Sequence, residues 1–513
     1  MTAVAKMECR RRWWLPSVGL VVWLILLLTL TLTQWRYALI NVDGDACLHW
    51  RIGDWMIQHR AVLRHDVFSH TQSGTPVMSN EWLSEVVYAA AGNALGWNGI
   101  VLVAAILIAT SFWLLYRLLT AEGTSVFLAL ILVLLVAWSS TLHWLARPHL
   151  WTYGFVVVYL WALRGFERGT VSARRLFLVV VPLMILWTNV HGGFVAGLIL
   201  IAAFLIGTAI TPSPERFIGM RTLAFLAVAC VLASLLNPNG WKLHGFIFQS
   251  LRDSKLNNIV TEFQSPDFHG FWMRGFLVQL LIFGGLLLIA RPKLNATDVL
   301  LIAGWGGATL YSARHAAILA LVLTPVMAEH GTTWLTNAAD TPVVRLLRRW
   351  SELFRRYQAL ADGRSLGIFC FALCFVLIGK SWTRDGQPTI TTCILRDHFP
   401  AAALDYLRAN PNSVHGEMFN YRRWGGYLEL AAPSLRVFID GRYGGKLIED
   451  YKCVDTLGPQ CMKVLKDHDV GWTILPQSHP LNHLLALSPR WKLVYQDEVA
   501  TIYGQRNGSP DRP

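Results

Sequence analysis

Long apolar segments recur along most of this chain, and they limit the folds that it can adopt. A helix needs about 20 mostly apolar residues to cross the hydrocarbon core of a bilayer. About eleven segments approach that length, at 17–34, 98–119, 124–143, 149–166, 175–190, 193–210, 221–236, 275–291, 297–312, 314–330 and 365–380. The pattern predicts an α-helical polytopic membrane protein with about eleven transmembrane helices.

The charged residues agree with a membrane protein. Only 15% of the 513 residues are charged, whereas soluble domains carry about 25%. The net charge is +13, but its distribution does not indicate nucleic-acid binding, because much of the charge lies in short connections between apolar segments. Membrane lipids are therefore the expected surroundings, and no nucleic-acid partner is expected.

The positions of lysine and arginine predict the orientation in the membrane, because cytoplasmic connections are enriched in positive charge. A basic start before the first apolar segment favours a cytoplasmic N-terminus and an uncleaved first helix. The connections then expected inside hold most of the basic residues, at 117, 164–175, 216–221, 291–293 and 345–364. The short outside connections nearly lack them, with Arg147 and Arg314 as exceptions. An odd number of helices places the C-terminal region outside.

Composition also divides the chain into domains. Residues 1–384 form the predicted membrane domain, including an outside loop at 36–97 and an inside amphipathic connection at 331–364. After residue 385 the pattern is that of a small α/β domain with a mixed sheet, ending at 506. We expect a helix at 400–409 and strands at 437–441, 472–476, 491–495 and 499–503. Residues 507–513 are a predicted disordered tail, and a disulfide between Cys453 and Cys461 is plausible.

Acidic residues are concentrated in the first outside segment. Asp43, Asp45, His49, Asp66 and Glu81 all lie between two apolar segments, where ionised groups are costly unless they have water, partners or a function. Two carboxylates one residue apart, as at 43 and 45, can hold a divalent cation. One of them can instead act as a general base, or the pair can form a turn at a helix end.

Other polar residues lie in the remaining outside connections. The arginines there could hold a phosphate group, contact lipid head groups or pair with a loop carboxylate. His191, beside two glycines, could donate a hydrogen bond to a substrate or occupy a hydrogen-bonded turn. The full set of expected substrate-binding residues is His49, Asp66, Arg147, His149, Asn189, His191, Glu262, Arg314 and His315.

The order of these motifs resembles the GT-C superfamily of integral membrane glycosyltransferases. The similarity is greatest to bacterial members related to mannosyltransferases and aminoarabinose transferases. It is carried by DGDACLH at 43–49, RPH at 147–149, NVHGG at 189–193 and WGGYL at 424–428. The last motif is distantly similar to the WWDYG motif of oligosaccharyltransferases but lacks its Asp, so recognition of a peptide sequon is not implied.

The resemblance implies a sugar donor linked to a polyprenyl phosphate and an acceptor glycan, lipid or protein on the outer face of the bacterial inner membrane. It implies Asp43 and Asp45 as base or metal ligands, with Glu81 as a further catalytic residue. Some members need a divalent cation such as Mg²⁺ or Mn²⁺, and others need none. A transporter or flippase for a lipid-linked or anionic molecule, and a non-catalytic assembly protein, are the alternatives. The polar groups favour the enzyme, because they lie in outer loops and not at mid-membrane.

Overall fold

A computed structural model describes residues 12, 14–42, 44–212, 216–252, 261–361, 367, 383–384, 387–388, 393–442 and 445–506. Three predictions fall outside these ranges wholly or nearly so. They concern Asp43, the eleventh apolar segment at 365–380 and the tail at 507–513.

The first ten predicted spans are confirmed as helices. Each contains apolar residues on all sides, as expected of a helix surrounded by other helices and lipid. Their bounds are Val18–Leu32, Trp97–Ala121, Val126–Ser139, Leu150–Glu167, Ala173–Val190, Val195–Ile210, Arg216–Ser234, Arg274–Ala290, Ala296–Tyr311 and Ala316–Asn337. Within the described residues, six helical stretches are long and apolar enough to cross a membrane, or seven if Val18–Leu32 and Trp35–Asn41, bent by 66°, form one span. The count of eleven stays a prediction.

The first outside segment is largely helical and not an open loop. It contains Trp35–Asn41, Asp45–His59 and Trp82–Leu95. The last two pack side by side: Gly53 lies so close to the neighbouring backbone that a Cβ there would be 2.0 Å from the carbonyl oxygen of Glu85. A further helix, Lys242–Arg252, follows the span that ends at Ser234.

At the other end of the bundle, arginines are paired. Arg164, expected to be a topology signal, is only 3% exposed. It forms ion pairs with Glu122 at 3.1 Å, Asp298 at 3.1 Å and Glu329 at 2.8 Å. The predicted amphipathic stretch is confirmed as the helix Pro342–Leu360, capped by the Thr341 side chain. One of its faces exposes apolar residues, namely Val343, Leu346, Trp350 and Leu353.

The C-terminal domain has the mixed sheet that was expected. Its strands are β3 (Glu417–Asn420), β4 (Val470–Pro476), β5 (Trp491–Gln496) and β6 (Ala500–Gln505), after the short β1 (Thr383–Arg384) and β2 (Gln387–Pro388). The order is β3-β4-β6-β5, with β3 parallel to β4 and the other pairs antiparallel. The helices are Ala401–Ala409, Gly425–Ala431, Gly445–Asp455, Cys461–Asp467 and Pro480–Leu487. Cys453 and Cys461 are free thiols.

The predicted strand at 437–441 is wrong, because its backbone bonds go elsewhere. Val437 donates its N–H to Phe68 and accepts one from His70, both in the first outside segment. The side-chain oxygen of Asn420 accepts the N–H groups of Phe438 and Ile439. This extended segment therefore connects the C-terminal domain to the first outside segment, and both lie at the same end of the bundle.

Gly426 allows a second close contact between the same parts, and Gly425 allows a close contact within the C-terminal domain. A Cβ at Gly426 would lie 2.4 Å from the carbonyl oxygen of Gly44, and one at Gly425 would lie 2.4 Å from that of Ile439. The backbone N–H of Gly44 donates to Arg423 at 3.1 Å. Trp424 and Tyr427 are 4% and 9% exposed, so these two rings of the WGGYL motif are packed inside the protein.

A buried charge cluster lies at this contact. Arg442 pairs with Asp440 of its own segment, with Asp66 of the first outside segment at 3.3 Å, and with Glu429 at 3.5 Å. All three carboxyl groups are at most 1% exposed. Burial, together with the charge of Asp440, raises the pKa of Glu429 well above its ordinary value. The cluster therefore favours the neutral form of Glu429.

We expect Arg442→Ala to destabilise the chain by about 3–5 kcal/mol, because it leaves buried carboxylates without their shared cation. The measurement is the thermal unfolding temperature in detergent. Arg408→Ala is the matched control, since that side chain is 58% exposed and pairs with an exposed carboxylate, a pair worth about 0–1 kcal/mol. Equal unfolding temperatures for the two variants would contradict a stabilising role for the cluster.

Candidate active site

His191 lies between two spans, and two groups hydrogen-bond to its ring. The N–H of Gly193 and the hydroxyl of Thr152 both point at Nδ1, at 3.0 and 2.8 Å. Trp187 in turn donates to the Thr152 hydroxyl at 3.0 Å. With Nδ1 accepting, the ring proton belongs on Nε2. That atom lies 3.5 Å from Oε1 of Glu81.

The same surroundings keep His191 neutral. Burial, with the charges of Arg314 and His49, lowers the pKa of His191 to about 3. A neutral imidazole with its proton on Nε2 donates a hydrogen bond and carries no charge. His191 is thus a fixed donor directed at the carboxyl group of Glu81.

Glu81 lies in an unusual environment for a carboxyl group. It precedes the helix Trp82–Leu95, and burial raises the pKa of Glu81 to about 7. The charge of His49 opposes this shift, whereas Glu85 and Asp45 add to it. A general base works best when its pKa is near the working pH, so Glu81 can accept a proton under neutral conditions.

A second imidazole–carboxylate pair lies beside the first. His49 Nδ1 is 3.4 Å from Oε1 of Glu85. Burial opposes the charge on His49, but the hydrogen bond to Glu85 and the charges of Glu81 and Asp45 raise its pKa. Glu85 was not among the predicted site residues. Its spacing was a usable signal, because Glu81 and Glu85, like Asp45 and His49, are four residues apart and share a helix face.

Asp45 is bound to an arginine. Its Oδ2 lies 3.2 Å from Arg147, and the same guanidinium is 3.9 Å from Glu262. Arg147 is thus shared by carboxylates from two outside connections. Among the alternatives for this arginine, the ion pair with a loop carboxylate is present.

Arg314 is arranged differently. It lies in the 3₁₀ helix Ala313–His315, which is tied to the connection around Glu262 because Ser312 donates to the Glu262 carbonyl and Ala313 to that of Gln264. The guanidinium lies 4.6 Å from the centre of the Phe263 ring. No carboxylate among the described residues is within ion-pair distance of it. Its half-buried charge is therefore available to an anion.

Four predicted site residues have other surroundings. Asn189 accepts from Trp82 and donates to the carbonyls of Ile185 and Leu236. Asp66 is 1% exposed and accepts from Phe68 and Ser69, in addition to its pairing with Arg442. His149 contacts the His143 carbonyl through Nε2, and His315 packs near Trp305. These contacts suit positioning, and binding to substrate stays a prediction for each of them.

A metal ion does not fit the part of the site that the structure describes. Within the described ranges, no group of three or more His, Cys, Asp or Glu side chains could hold one. Asp45 also directs an oxygen at Arg147. Because Asp43 is outside those ranges, a Mg²⁺ or Mn²⁺ site formed by Asp43 and Asp45 stays a prediction, and no chemical step is derived through it.

Solved structures share this architecture, although no protein-family model and no curated protein matches the sequence. The apo oligosaccharyltransferase of Archaeoglobus fulgidus is 13% identical with a TM-score of 0.57, over 89% of this chain and 69% of that one. The same organism's AglB, in complex with an inhibitory peptide and a dolichol-phosphate, is 12% identical with a TM-score of 0.56 over the same shares. ArnT from Cupriavidus metallidurans, bound to undecaprenyl phosphate, is 13% identical with a TM-score of 0.52, over 96% of this chain and 98% of that one.

These likenesses span both the helical bundle and the C-terminal domain, since they cover most of the chain. They agree with the resemblance drawn from the order of the sequence motifs. The chain therefore shares its fold with the oligosaccharyltransferase of Archaeoglobus fulgidus and with ArnT of Cupriavidus metallidurans.

Proposed function

We propose that this chain transfers a sugar from a polyprenyl-phosphate-linked donor to an acceptor hydroxyl. One observation carries the proposal. Glu81, with its pKa of about 7, lies at the same end of the helical bundle as Arg314, whose guanidinium has no ion-pair partner among the described residues. Two of the similar structures hold a dolichol-phosphate and undecaprenyl phosphate. They support a lipid phosphate as the carrier.

Glu81 is the proposed general base. An acceptor hydroxyl attacks the anomeric carbon of the donor sugar, and its proton passes to Glu81. Asp43 and Asp45 were the first candidates from the sequence, but an oxygen of Asp45 is directed at Arg147 at 3.2 Å, whereas Glu81 has a pKa close to neutral pH, as suits a general base. Asp45 and Arg147 then shape the site, and Asp43 remains a candidate beside them.

Arg314 is the proposed partner of the leaving group. As the new bond forms, the bond from the anomeric carbon to the phosphate oxygen breaks and its electron pair stays on that oxygen. A guanidinium can bind the resulting phosphate through two parallel hydrogen bonds. Stabilising charge that develops in the transition state is commonly a large catalytic contribution. A single displacement inverts the anomeric configuration.

The two histidines hold the base in place. His191 donates towards Glu81 from one side. His49, joined to Glu85, places a positive charge near it and limits the rise of its pKa. Without that positive charge, burial would raise the pKa of Glu81 further and leave less of the carboxylate form at neutral pH.

The site is proposed to face away from the cytoplasm in the bacterial inner membrane. Support comes from the basic connections, which favour the opposite end of the bundle as cytoplasmic. The contact between the C-terminal domain and the first outside segment supports the same side of the membrane for that domain. Reaction of Asp467→Cys with a membrane-impermeant thiol reagent, added to intact cells or spheroplasts, would test this orientation.

The proposal predicts a pH dependence. Glu81 must be ionised to accept a proton, so kcat/KM for the acceptor should be constant above about pH 7 and fall about tenfold per pH unit below it. The measurement is a pH profile at saturating donor. A profile that is flat between pH 5 and 8 would exclude Glu81 as the base, and the residual activity of Glu81→Gln should lack this dependence.

A strain that lacks the chain tests the function in its native setting. Mass spectrometry of envelope glycans and lipids should find one sugar missing from one acceptor, together with an accumulated lipid-linked form of that sugar. Complementation with wild type should restore both, and complementation with Glu81→Gln should restore neither. Unchanged glycans and lipids in the deletion strain under conditions of expression would contradict the proposal.

A further inference from the structure

A cavity opens between the helix Trp35–Asn41 and the C-terminal domain. Its volume is about 680 Å³, within the range of about 300–1,000 Å³ that is typical of ligand sites. Tyr37, Asn41 and Val42 form one wall. The other walls come from the C-terminal domain, at 395–399, 421–424, 476–478 and 498–499. None of the described residues that line it belongs to the set given to transfer chemistry above.

The cavity combines aromatic rings with polar side chains. Tyr37 and Tyr421 are half-buried, whereas the polar side chains at the rim are exposed. Those of Asp397, Arg423 and Glu498 have no hydrogen-bond partner among the described residues. A sugar ring presents C–H groups to an aromatic face and hydroxyl groups around its edge, which carboxylates and guanidinium groups can bind. An alkyl chain would instead leave these charges desolvated and unpaired, at a considerable cost.

The cavity ends at the stretch that begins the proposed site. Asn41 and Val42 directly precede Asp43. Arg423 also lines the cavity, and its backbone carbonyl accepts the N–H of Gly44 at 3.1 Å. Asp45 follows and contacts Arg147, which comes from the helical bundle. The cavity therefore approaches this stretch from the side of the C-terminal domain, whereas Arg147 approaches it from the side of the helical bundle. A single displacement requires nucleophile and leaving group on opposite faces of the sugar.

We propose that this cavity binds the saccharide end of the acceptor, so that the acceptor is a glycan. The assignment of the bound sugar as an acceptor rests on the proposed transferase function. Tyr421 provides a ring for stacking, and Glu498 accepts hydrogen bonds from sugar hydroxyls. A hydroxyl at the inner end of the bound glycan would then be directed towards Asp45, which lies close enough to the proposed base Glu81 for their charges to interact.

The test is binding of the full-length chain, in lipid nanodiscs and without any donor, to arrays of bacterial envelope oligosaccharides and of peptides. We expect a subset of the oligosaccharides to bind and the peptides not to bind. Tyr421→Ala and Glu498→Gln should each weaken binding about tenfold or more, as is usual for loss of a hydrogen bond to a charged group or of a stacking ring. Asp467→Asn, an exposed carboxylate of the same domain, is the matched control and should bind as wild type does.

Three results would overturn the assignment: no oligosaccharide bound, peptides bound instead, or oligosaccharides bound equally by wild type and Glu498→Gln. The last comparison does not depend on Tyr421, whose ring also contacts Trp424 and His479 and whose loss can disturb folding. Because no donor is present, oligosaccharide binding that both variants weaken would support the cavity even if the chain transfers no sugar. If both variants transfer sugar with an unchanged KM for the acceptor, the proposed transferase function holds but the cavity does not bind the acceptor.

Discussion

Replacing Glu81 with glutamine is expected to lower the rate of sugar transfer by about 10²- to 10⁴-fold, the usual contribution of a positioned general base. Glutamine keeps the shape of the side chain and can still accept a hydrogen bond from His191, so the packing at the start of the helix Trp82–Leu95 should survive. The loss should therefore appear in kcat, with little change in donor affinity. Single-turnover release of polyprenyl phosphate is the appropriate measurement, because it isolates the chemical step.

The control for Glu81→Gln is Asp54→Asn. Asp54 lies in the same outside segment and bonds to Gln58 and Asn93, away from Glu81. This variant should retain transfer within about threefold of wild type, a change of less than about 1 kcal/mol. Full activity of Glu81→Gln, alongside loss in Asp43→Asn, would move the role of base to Asp43.

Replacing Arg314 with alanine is expected to cost about 10²- to 10³-fold in kcat, as does removal of one group that stabilises developing negative charge. The guanidinium lies against Phe263 and has no carboxylate partner among the described residues, so the change removes a charge without leaving an unpaired buried acid. Arg314→Lys should recover part of the rate, because a lysine supplies charge but not a planar pair of donors. Rates and donor dissociation constants together would measure the effect.

Arg274 offers a closely matched control. It also lies at the end of a helix of the bundle, and its guanidinium is 5.6 Å from the centre of the Phe271 ring, but the side chain is exposed. Arg274→Ala should leave the rate nearly unchanged. If it matched Arg314→Ala, the effect at 314 would be one of net positive charge at the membrane surface and not of contact with the leaving phosphate.

The sequence predicted those parts of the fold that follow from which residues face water, lipid or the protein interior. Apolar length alone located ten helices, because a bilayer requires it, and the alternation of residues located three strands of the sheet. Distribution of charge also brought Asp45, Glu81, Arg147 and Arg314 to one end of the bundle. The order of motifs added the resemblance that the solved structures bear out at the level of fold.

The sequence did not predict which side chains and backbone groups bond to each other, because these bonds join segments that are distant in the chain. Residues 437–441 look like a strand, yet they bond to Phe68, His70 and Asn420. Arg164 carries the charge of a topology signal but lies in a buried network. Likewise, an amide such as Asn189 is suited to substrate by type, but the carbonyls of Ile185 and Leu236 already accept its N–H groups.

The central claim is that the chain cleaves a lipid-linked sugar and passes the sugar to an acceptor. Its most direct measurement uses the full-length chain in sealed vesicles that contain a radiolabelled polyprenyl-phosphate sugar, with envelope glycans added as acceptor. The account predicts release of polyprenyl phosphate in step with label on the glycan, and loss of both in Glu81→Gln. Movement of the intact labelled lipid across the bilayer, without cleavage and at the same rate in Glu81→Gln, would contradict it.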